Sequence, residues 1–458
     1  MLLTALQLLL CAAGGANPTP HDSAQIPVSP VDTIAVNWAV SYGGDGDEWA
    51  EGIVMTEDAG ILLVAGTDSF GAGSYDFWIL RLNSQGSALW QKAIGGAGRE
   101  WPESVATTGN GGFLVAGQTN SYGAGGDDAW VMRIDDGGEI VWERTFGGKL
   151  DDWAITVLAE DADTYIICGG TESTGAGRAD LFLMKINGNG EVIWQRTYGG
   201  QGDEGPAAMR PLADGGYLAA VVTNSFGSGG TDIWLVRLDP ECEILWDVVL
   251  GGSRNESVLW AEQTSDGGFV VAGWTESFGA GGTDALLMKL NDTGELEWQR
   301  VYGTEKDDWL VYAAGTSEDT LSAIGAIDSV NGLLDIWFVE TDTNGNVESH
   351  GALGGTASDT PEFVCQLEQG TLLIGGRSFS FSLGWDDCWL TSVTRGTGGD
   401  ACQLVSRSVS QAETGEANCA TSEADAAVSP RDRTLLQAGS TTGQVTRTEA
   451  DPVYQCGP

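Results

Sequence analysis

A pair of glycines recurs along this chain with a fixed period. It stands at Gly43-Gly44, Gly95-Gly96, Gly147-Gly148, Gly199-Gly200 and Gly251-Gly252, degenerates at Gly303-Thr304 and returns at Gly354-Gly355. The spacing is 52 residues five times and then 51. A Trp sits five positions before the first glycine at Trp38, Trp90, Trp142, Trp194, Trp246 and Trp298, and Ser349 replaces it in the seventh copy. Units in register at this length are supersecondary repeats that bury their apolar faces only against their neighbours.

The unit from Glu100 to Gly148 contains four short apolar runs separated by turn chemistry: SVATT, FLVAG, AWVMRID and EIVWERTFGG. Asp-Gly-Gly and Asx-Gly stretches, such as Asp266-Gly267-Gly268 and Asn291-Asp292-Thr293-Gly294, supply turns that need a positive φ. Alternation in WVMRI and LEWQRVY predicts strands with two unlike faces. Tandem four-stranded units of this size predict a β-propeller. The ends are complementary. Asp32 to Gly44 matches only a fourth strand, and the last repeat, Asp359 to about Thr394, has only the first three. The expectation is an all-β, seven-bladed propeller over residues 33–398, its ring closed by the N-terminal strand, which removes exposed sheet edges.

The repeated pattern W-x-x-x-[YF]-G-G-x-x-x-[DE], then D-G-G-[YF]-x-[VL]-A-G-x-T-x-S-[FY]-G-x-G-x-x-D-x-W, resembles a family of tandem-repeat secreted or surface proteins of bacteria and archaea. The resemblance covers nearly all of residues 33–395. It implies a propeller and export, and narrows function little. Repeats six and seven depart from it: NESHGALGG lacks the Trp, and IDSVNGLLD and SFSFSLGWDD lack the Gly-Ala-Gly core.

Outside the repeats, Leu2 to Ala13 is too short to span a bilayer and reads as the apolar part of a signal peptide over residues 1–16. Cys11 opens a lipoprotein alternative, against which Leu10 stands, since a small residue is usual before a lipidated Cys. Residues 17–32 read as a linker, and 399–458 as a Ser/Thr/Ala/Glu-rich tail. Cys365, Cys388, Cys402, Cys419 and Cys456 crowd the last quarter, where pairing would tie tail to body, and Cys168 reads as a small buried hydrophobe. The expected location is secreted, cell-surface or periplasmic.

The chain carries 65 acidic and 21 basic residues, a net charge of −44, so phosphate-backbone binding has no basic cluster to build on. Two acid positions occur in all seven copies. Five residues after the first glycine stand Glu48, Glu100, Asp152, Glu204, Glu256, Asp308 and Asp359, followed by Trp49, Trp101, Trp153 and Trp309 in four copies. Ahead of the third strand stand Asp76, Asp128, Asp180, Asp232, Asp284, Asp335 and Asp387. In a four-stranded meander both sets belong to connections on one face. Two readings follow. The Asp set is structural, accepting N–H bonds from its Gly-rich loop. The first set with its Trp residues is the candidate ligand site, for a carbohydrate or for a protein or peptide. Calcium is the one cofactor considered, and no D-x-D-x-D-G loop supports it. A basic set, Arg81, Arg133, Lys185, Arg237 and Lys289, is placed to pair with neighbouring acids.

Enzyme signatures are weak. The chain has two His, His21 and His350, and no Cys-x-x-Cys, so zinc chemistry and His-based catalysis have little material. A sialidase-like box is approached at Asn291–Trp298 but fails at the Trp spacing. No G-x-S-x-G, Walker loop or His-Glu-x-x-His occurs. Trp260, Trp274, Trp385 and His350 break the repeat. The sequence therefore points to an exported, non-enzymatic binding or surface scaffold, with a carbohydrate-active enzyme using carboxylates as the alternative.

Overall fold

The computed structural model describes residues 34–315, 320–328, 333–367, 370–382 and 385–395. The proposed signal peptide, Cys11, the linker and the tail with Cys402, Cys419 and Cys456 lie outside them. Seven four-stranded antiparallel sheets form the blades. The chain is a seven-bladed β-propeller. Blade 1 runs through Glu48–Met55, Ile61–Thr67, Asp76–Leu82 and Ala88–Ile94. The innermost strands of blades 2 to 7 are Glu100–Thr107, Asp152–Ala159, Glu204–Pro211, Glu256–Gln263, Trp309–Gly315 and Asp359–Gln366. These seven strands contact one another around the axis. Closure follows the expected scheme: Ile34–Tyr42 is the outer strand of blade 7, antiparallel to Asp387–Arg395, with Tyr42 opposite Cys388. Among the described residues no helix is long and apolar enough to cross a membrane.

The third strand is not two-faced as the alternation suggested. In blade 1, ILLVAGT and DFWILRL are buried along their whole length. The reason is blade stacking, which covers both faces of the two middle strands. Each apolar cluster draws on two adjacent blades, for example Leu114 and Val131 with Ile167 and Met184, or Leu63 and Leu80 with Leu390. The core is thus seven interfaces rather than one centre.

The outer-strand Trp belongs to these interfaces. The Trp142 Nε1–H donates to the Gly188 carbonyl at 2.8 Å, and Trp298 donates to Thr343 at 2.9 Å, both in the hairpin of the next blade. The hairpin glycines Gly138, Gly190 and Gly345 have φ near 76°. A Cβ on Gly138 would lie 2.7 Å from the Trp90 ring. Glycine is required there on both counts, positive φ and close approach.

Candidate functional site

The two acid sets stand at strand starts. Each described member begins a strand, as Glu48 and Asp76 do in blade 1, except Asp308, which immediately precedes Trp309–Gly315, and Asp335, the second residue of Leu334–Asp342. The backbone explains this. The first residue of an inner strand donates its N–H to the residue just before the Asp of the preceding blade: Glu100 to Tyr75 at 2.8 Å, Asp152 to Asp127 at 2.7 Å, Glu48 to Asp386 at 2.9 Å. These bonds stitch blade to blade at one end of the ring.

The side chains complete the stitch. Glu48 is fully buried and accepts from Gly44 N at 2.7 Å, Thr67 Oγ1 at 2.7 Å and Ser69 N at 3.3 Å. Glu100, Glu204 and Glu256 repeat this with Gly96 and Thr119, Gly200 and Thr223, and Gly252 and Thr275. Asp152, Asp308 and Asp359 also accept from the glycine-pair backbone or its Thr304 equivalent. In the other set, Asp76 accepts from Ala72 and Gly73, Asp128 from Ala124 and Gly125, Asp232 from Ser228 and Gly229, and Asp284 from Ala280 and Gly281. Asp180 accepts from Gly177, and Asp387 accepts from Ser41. Asp335 lies against Gly354, where a Cβ would be 1.8 Å from its Oδ1.

The glycine pair is the space these acids need. A Cβ on Gly95 would lie 1.8 Å from Asp76 Oδ1 and 2.4 Å from Glu100 Oε2. Two carboxyls of adjacent blades therefore face each other across the glycine. Burial pushes Asp76 up to about 6, with Glu100 adding to the rise, and burial does the same to Asp128 beside Asp152. The basic set closes the opposite edge of the blades. Arg81 pairs with Asp58 at 2.5 Å, Lys289 with Asp266 at 2.9 Å, Lys185 with Glu160 and Arg237 with Asp214. Among the described residues no three His, Cys, Asp or Glu side chains are arranged to hold a metal ion, and Cys168, Cys242, Cys365 and Cys388 are unpaired thiols. Cys388 is buried in an apolar core, and the tail cysteines expected to pair with the body, Cys402, Cys419 and Cys456, lie outside the described residues.

The Trp that follows the first acid set divides by blade. Trp49 is 2 % exposed, seated on Gly66, and stacked on Trp101 with centroids 4.4 Å apart. Trp153 is seated on Gly170, and Trp153 and Trp309 are half-buried.

Three residues further along the inner strand from each first-set acid, a β-bulge leaves one residue out of register in every blade. This position breaks the repeat. It holds Ile155, Ala207, Leu259 and Val311 in blades 3 to 6, but Glu362, Glu51 and Glu103 in the adjacent blades 7, 1 and 2. The three glutamates face one another near the loop-rich mouth. Burial raises all three, Glu103 to about 8, and their mutual repulsion adds to the rise in Glu51 and Glu103. The Trp101 Nε1–H donates to Glu51 at 3.0 Å. Arg377 lies 3.3 Å from Glu362 and 3.7 Å from Asp386, with its guanidinium 5.3 Å from the Trp49 ring centre. Burial, with Asp47 alongside, pushes Asp386 up to about 7.

Toward the other end of the inner strands the axis is filled. Arg210 stacks 3.6 Å over Trp260, and Trp260 packs on Tyr312 at 4.9 Å. Tyr312 donates to Gln366 of blade 7 at 3.1 Å. Of the repeat-breaking residues, Trp260 is thus on the axis and Trp385 is 74 % exposed at the mouth. Trp274 and His350 lie elsewhere, on the second strand of blade 5 and the outer strand of blade 6. The Glu51–Glu103–Glu362 group escaped sequence reasoning because a search for repeated residues passes over a position whose identity changes from blade to blade.

Residues 60–88 match a family model described as "Domain of unknown function (DUF5122) beta-propeller". No curated protein matches. Solved structures that resemble the chain include a subtype N11 neuraminidase-like protein of A/flat-faced bat/Peru/033/2010 (H18N11), with 11 % identity, TM-score 0.39, and coverage of 81 % of this chain and 97 % of that one. Sqt1 from Chaetomium thermophilum gives 10 % identity and TM-score 0.44 over 80 % of this chain and all of its own. YCF48 bound to D1 peptide gives 10 % identity and TM-score 0.42, again over 80 % of this chain and all of its own.

Proposed function

We propose that this protein is an exported, non-enzymatic binding scaffold whose ligand enters the loop-rich mouth of the ring and presents a cationic group to Glu51, Glu103 and Glu362. One observation carries this reading: the position that breaks the repeat gathers three carboxyls on adjacent inner strands, with the far end of those strands packed by Arg210, Trp260 and Tyr312. The repeated acids are occupied within the blades, and Glu262 is held by Trp260 and Arg210 at the filled end, so the bulge glutamates are the acids left near the mouth. The single Arg377 offsets part of their charge, and the half-buried Trp101 offers a π-face beside them. A lysine-, arginine- or amine-bearing peptide or amino sugar fits this chemistry.

Calorimetry of purified residues 17–458 against lysine- and arginine-containing peptides and amino sugars tests the reading. Burial and the neighbouring Glu362 shift Glu103 toward its protonated form, so a cation that engages it is expected to release protons, and the heat to vary with buffer ionisation enthalpy. Glu103→Gln removes that release and weakens binding by about tenfold, the loss of one charge-assisted contact. Equal affinity and equal proton release in Glu103→Gln would refute the site. The carboxylate-enzyme alternative rests on the same residue, since a carboxyl protonated near neutrality beside other carboxyls is the arrangement of glycoside hydrolysis. Turnover of a glycan panel that Glu103→Gln abolishes would favour it over simple binding.

A further inference from the structure

Blade 3 departs from its neighbours on the loop-rich side, away from the axis. The repeat places an aromatic residue after the Ser of its T-x-S motif, S-x-S in blade 7: Phe70, Tyr122, Phe226, Phe278 and Phe381. In four of these blades the ring packs on a third-strand Trp, as Phe70 on Trp78 at 5.2 Å, Tyr122 on Trp130 at 5.6 Å, Phe226 on Trp234 at 5.4 Å and Phe381 on Trp389 at 5.6 Å. The ring tip reaches the second glycine of the pair. Phe70 Cζ lies 3.1 Å from where a Gly44 Cβ would be, and Phe226 Cζ lies 3.0 Å from that of Gly200.

Blade 3 has Thr174 where the ring should be and Phe182 where the Trp should be. Nothing else moves in. A cavity of about 540 Å³ stands at this place, lined by Phe146, Phe182, Thr174, Gly148, Lys149 and Leu150 among others. Phe146 and Phe182 form its buried wall, at 3 % and 9 % exposure. The missing Trp also changes a polar group. In blade 1 the Trp78 Nε1–H donates to Gln91 at 3.1 Å. The equivalent Gln195, opposite Met184 in the register, lines the cavity together with Phe182, whose phenyl ring has no donor.

The rim is as unusual as the wall. Leu150 is 53 % exposed where three other blades carry a glycine, Gly46, Gly98 and Gly202. Lys149 is one of five lysines in a chain of net charge −44. It is exposed and forms no ion pair among the described residues, whereas Lys92, Lys185, Lys289 and Lys306 each have an acidic partner. Residues at the Lys149 position elsewhere are Asp45, Ala97, Gln201, Ser253, Glu305 and Thr356. Omitted rings, an exposed Leu and a free cation converge on one cavity of the size that small-molecule sites have.

We propose that this cavity is a binding site for a small aromatic carboxylate, whose ring takes the place that other blades fill with their own aromatic side chain and whose carboxylate pairs with Lys149. An apolar wall buries the ring and Lys149 at the rim fixes its orientation, while the other charged lining residue, Asp152, has its oxygens engaged by Gly148, Thr171 and Ser173. The site is independent of the axial glutamates, so either assignment can fail alone.

The full chain without its first sixteen residues is titrated calorimetrically with 3-indolepropionate, 3-phenylpropionate, neutral indole and hexanoate. Saturable one-to-one binding of the aromatic acids, tighter than that of hexanoate, is expected. Thr174→Phe restores the ring seen in the other blades. It should weaken aromatic-acid binding by at least about tenfold and melt at or above the wild-type temperature, because filling a void does not cost stability when the shape already has a precedent. Phe182→Trp is the second filling variant and should act in the same direction. Lys149→Gln should weaken the acids by about tenfold and leave indole unchanged. Absence of saturable binding at millimolar ligand, or wild-type affinity in both filling variants, would overturn the site. Unchanged acid affinity in Lys149→Gln would overturn the carboxylate assignment.

Discussion

At the scale of single residues, the repeat is a record of contacts that tolerate no other side chain. The first glycine of each pair exists because two carboxyls press on its Cα, and the second because a Ser Cβ does: a Cβ on Gly96 would lie 2.4 Å from Ser121 Cβ. Gly95→Ala should therefore destabilise the fold by about 1–3 kcal/mol, the usual cost of forcing a methyl into a packed site. Chemical denaturation measures it, and an unchanged midpoint would show that the carboxyl pair can part without cost. The repeated acids were legible in the sequence as positions, and their partners were not. Periodicity reports that every blade needs an acid after Gly-Gly, but only coordinates show that Glu100 spends its oxygens on Gly96 N and Thr119 Oγ1. The bulge glutamates were illegible for the opposite reason. Glu51, Glu103 and Glu362 are exceptions to a pattern, and alignment of copies draws the eye to what recurs. Thr174 was readable as an S-T-G among S-F-G copies, yet its meaning depends on the void behind it.

At the scale of strands, ring closure is the feature most completely written in the chain. A lone fourth strand at one end and a three-stranded repeat at the other have one economical solution, and Ile34–Tyr42 takes it against Asp387–Arg395. The strand does more than fill an edge. Trp38 sits against Gly86 of blade 1, and the Tyr42 hydroxyl donates to the Gly86 carbonyl, so the closing strand clasps two blades together. Tyr198 and Tyr302 make the equivalent bonds to Cys242 at 2.8 Å and Gly345 at 2.6 Å. A chain beginning after Gly44 should lose this clasp and expose the edge of blade 7. Lower melting temperature and early proteolytic cleavage within 359–395 are the expected outcomes. If the shortened chain melted with the longer one, the closing role of the strand would be wrong. What the sequence did not disclose is the burial of the middle strands. Alternation in WVMRI suggested an outer face, but stacking covers that face, and the Arg or Lys in it survives by extending its stem to an acid in the adjoining turn.

At the scale of the whole molecule, the net charge of −44 has two populations behind it. One is surface charge, and the other is buried acid whose protonated form burial favours, such as Asp76 and Asp128 in the blades and the three bulge glutamates near the mouth. The sign of the resulting pH dependence is fixed by linkage. A carboxyl whose folded pKa is raised binds more protons folded than unfolded, so its contribution is full at acid pH and is lost as pH rises through the folded value. For Asp76 and Asp128 the loss runs from the ordinary carboxylate value, about 4, to about 6. For Glu103 it continues to about 8. Asp58 and Asp266, lowered to about 2 by hydrogen bonds and their cationic partners against the opposing effect of burial, act the other way and cost stability only below the ordinary range. The melting temperature should therefore fall from pH 5 to pH 8, in contrast to proteins whose acids are mostly stabilised as anions. General repulsion between surface acids bends the curve in the same direction, so the slope alone does not identify the buried groups. Glu103→Gln separates them. The amide keeps the shape of the protonated acid but cannot ionise, so at constant ionic strength its curve should match the wild type at pH 5 and lie above it at pH 8. Parallel curves for the two proteins across that interval would place the slope on the surface and show that Glu103 ionises freely.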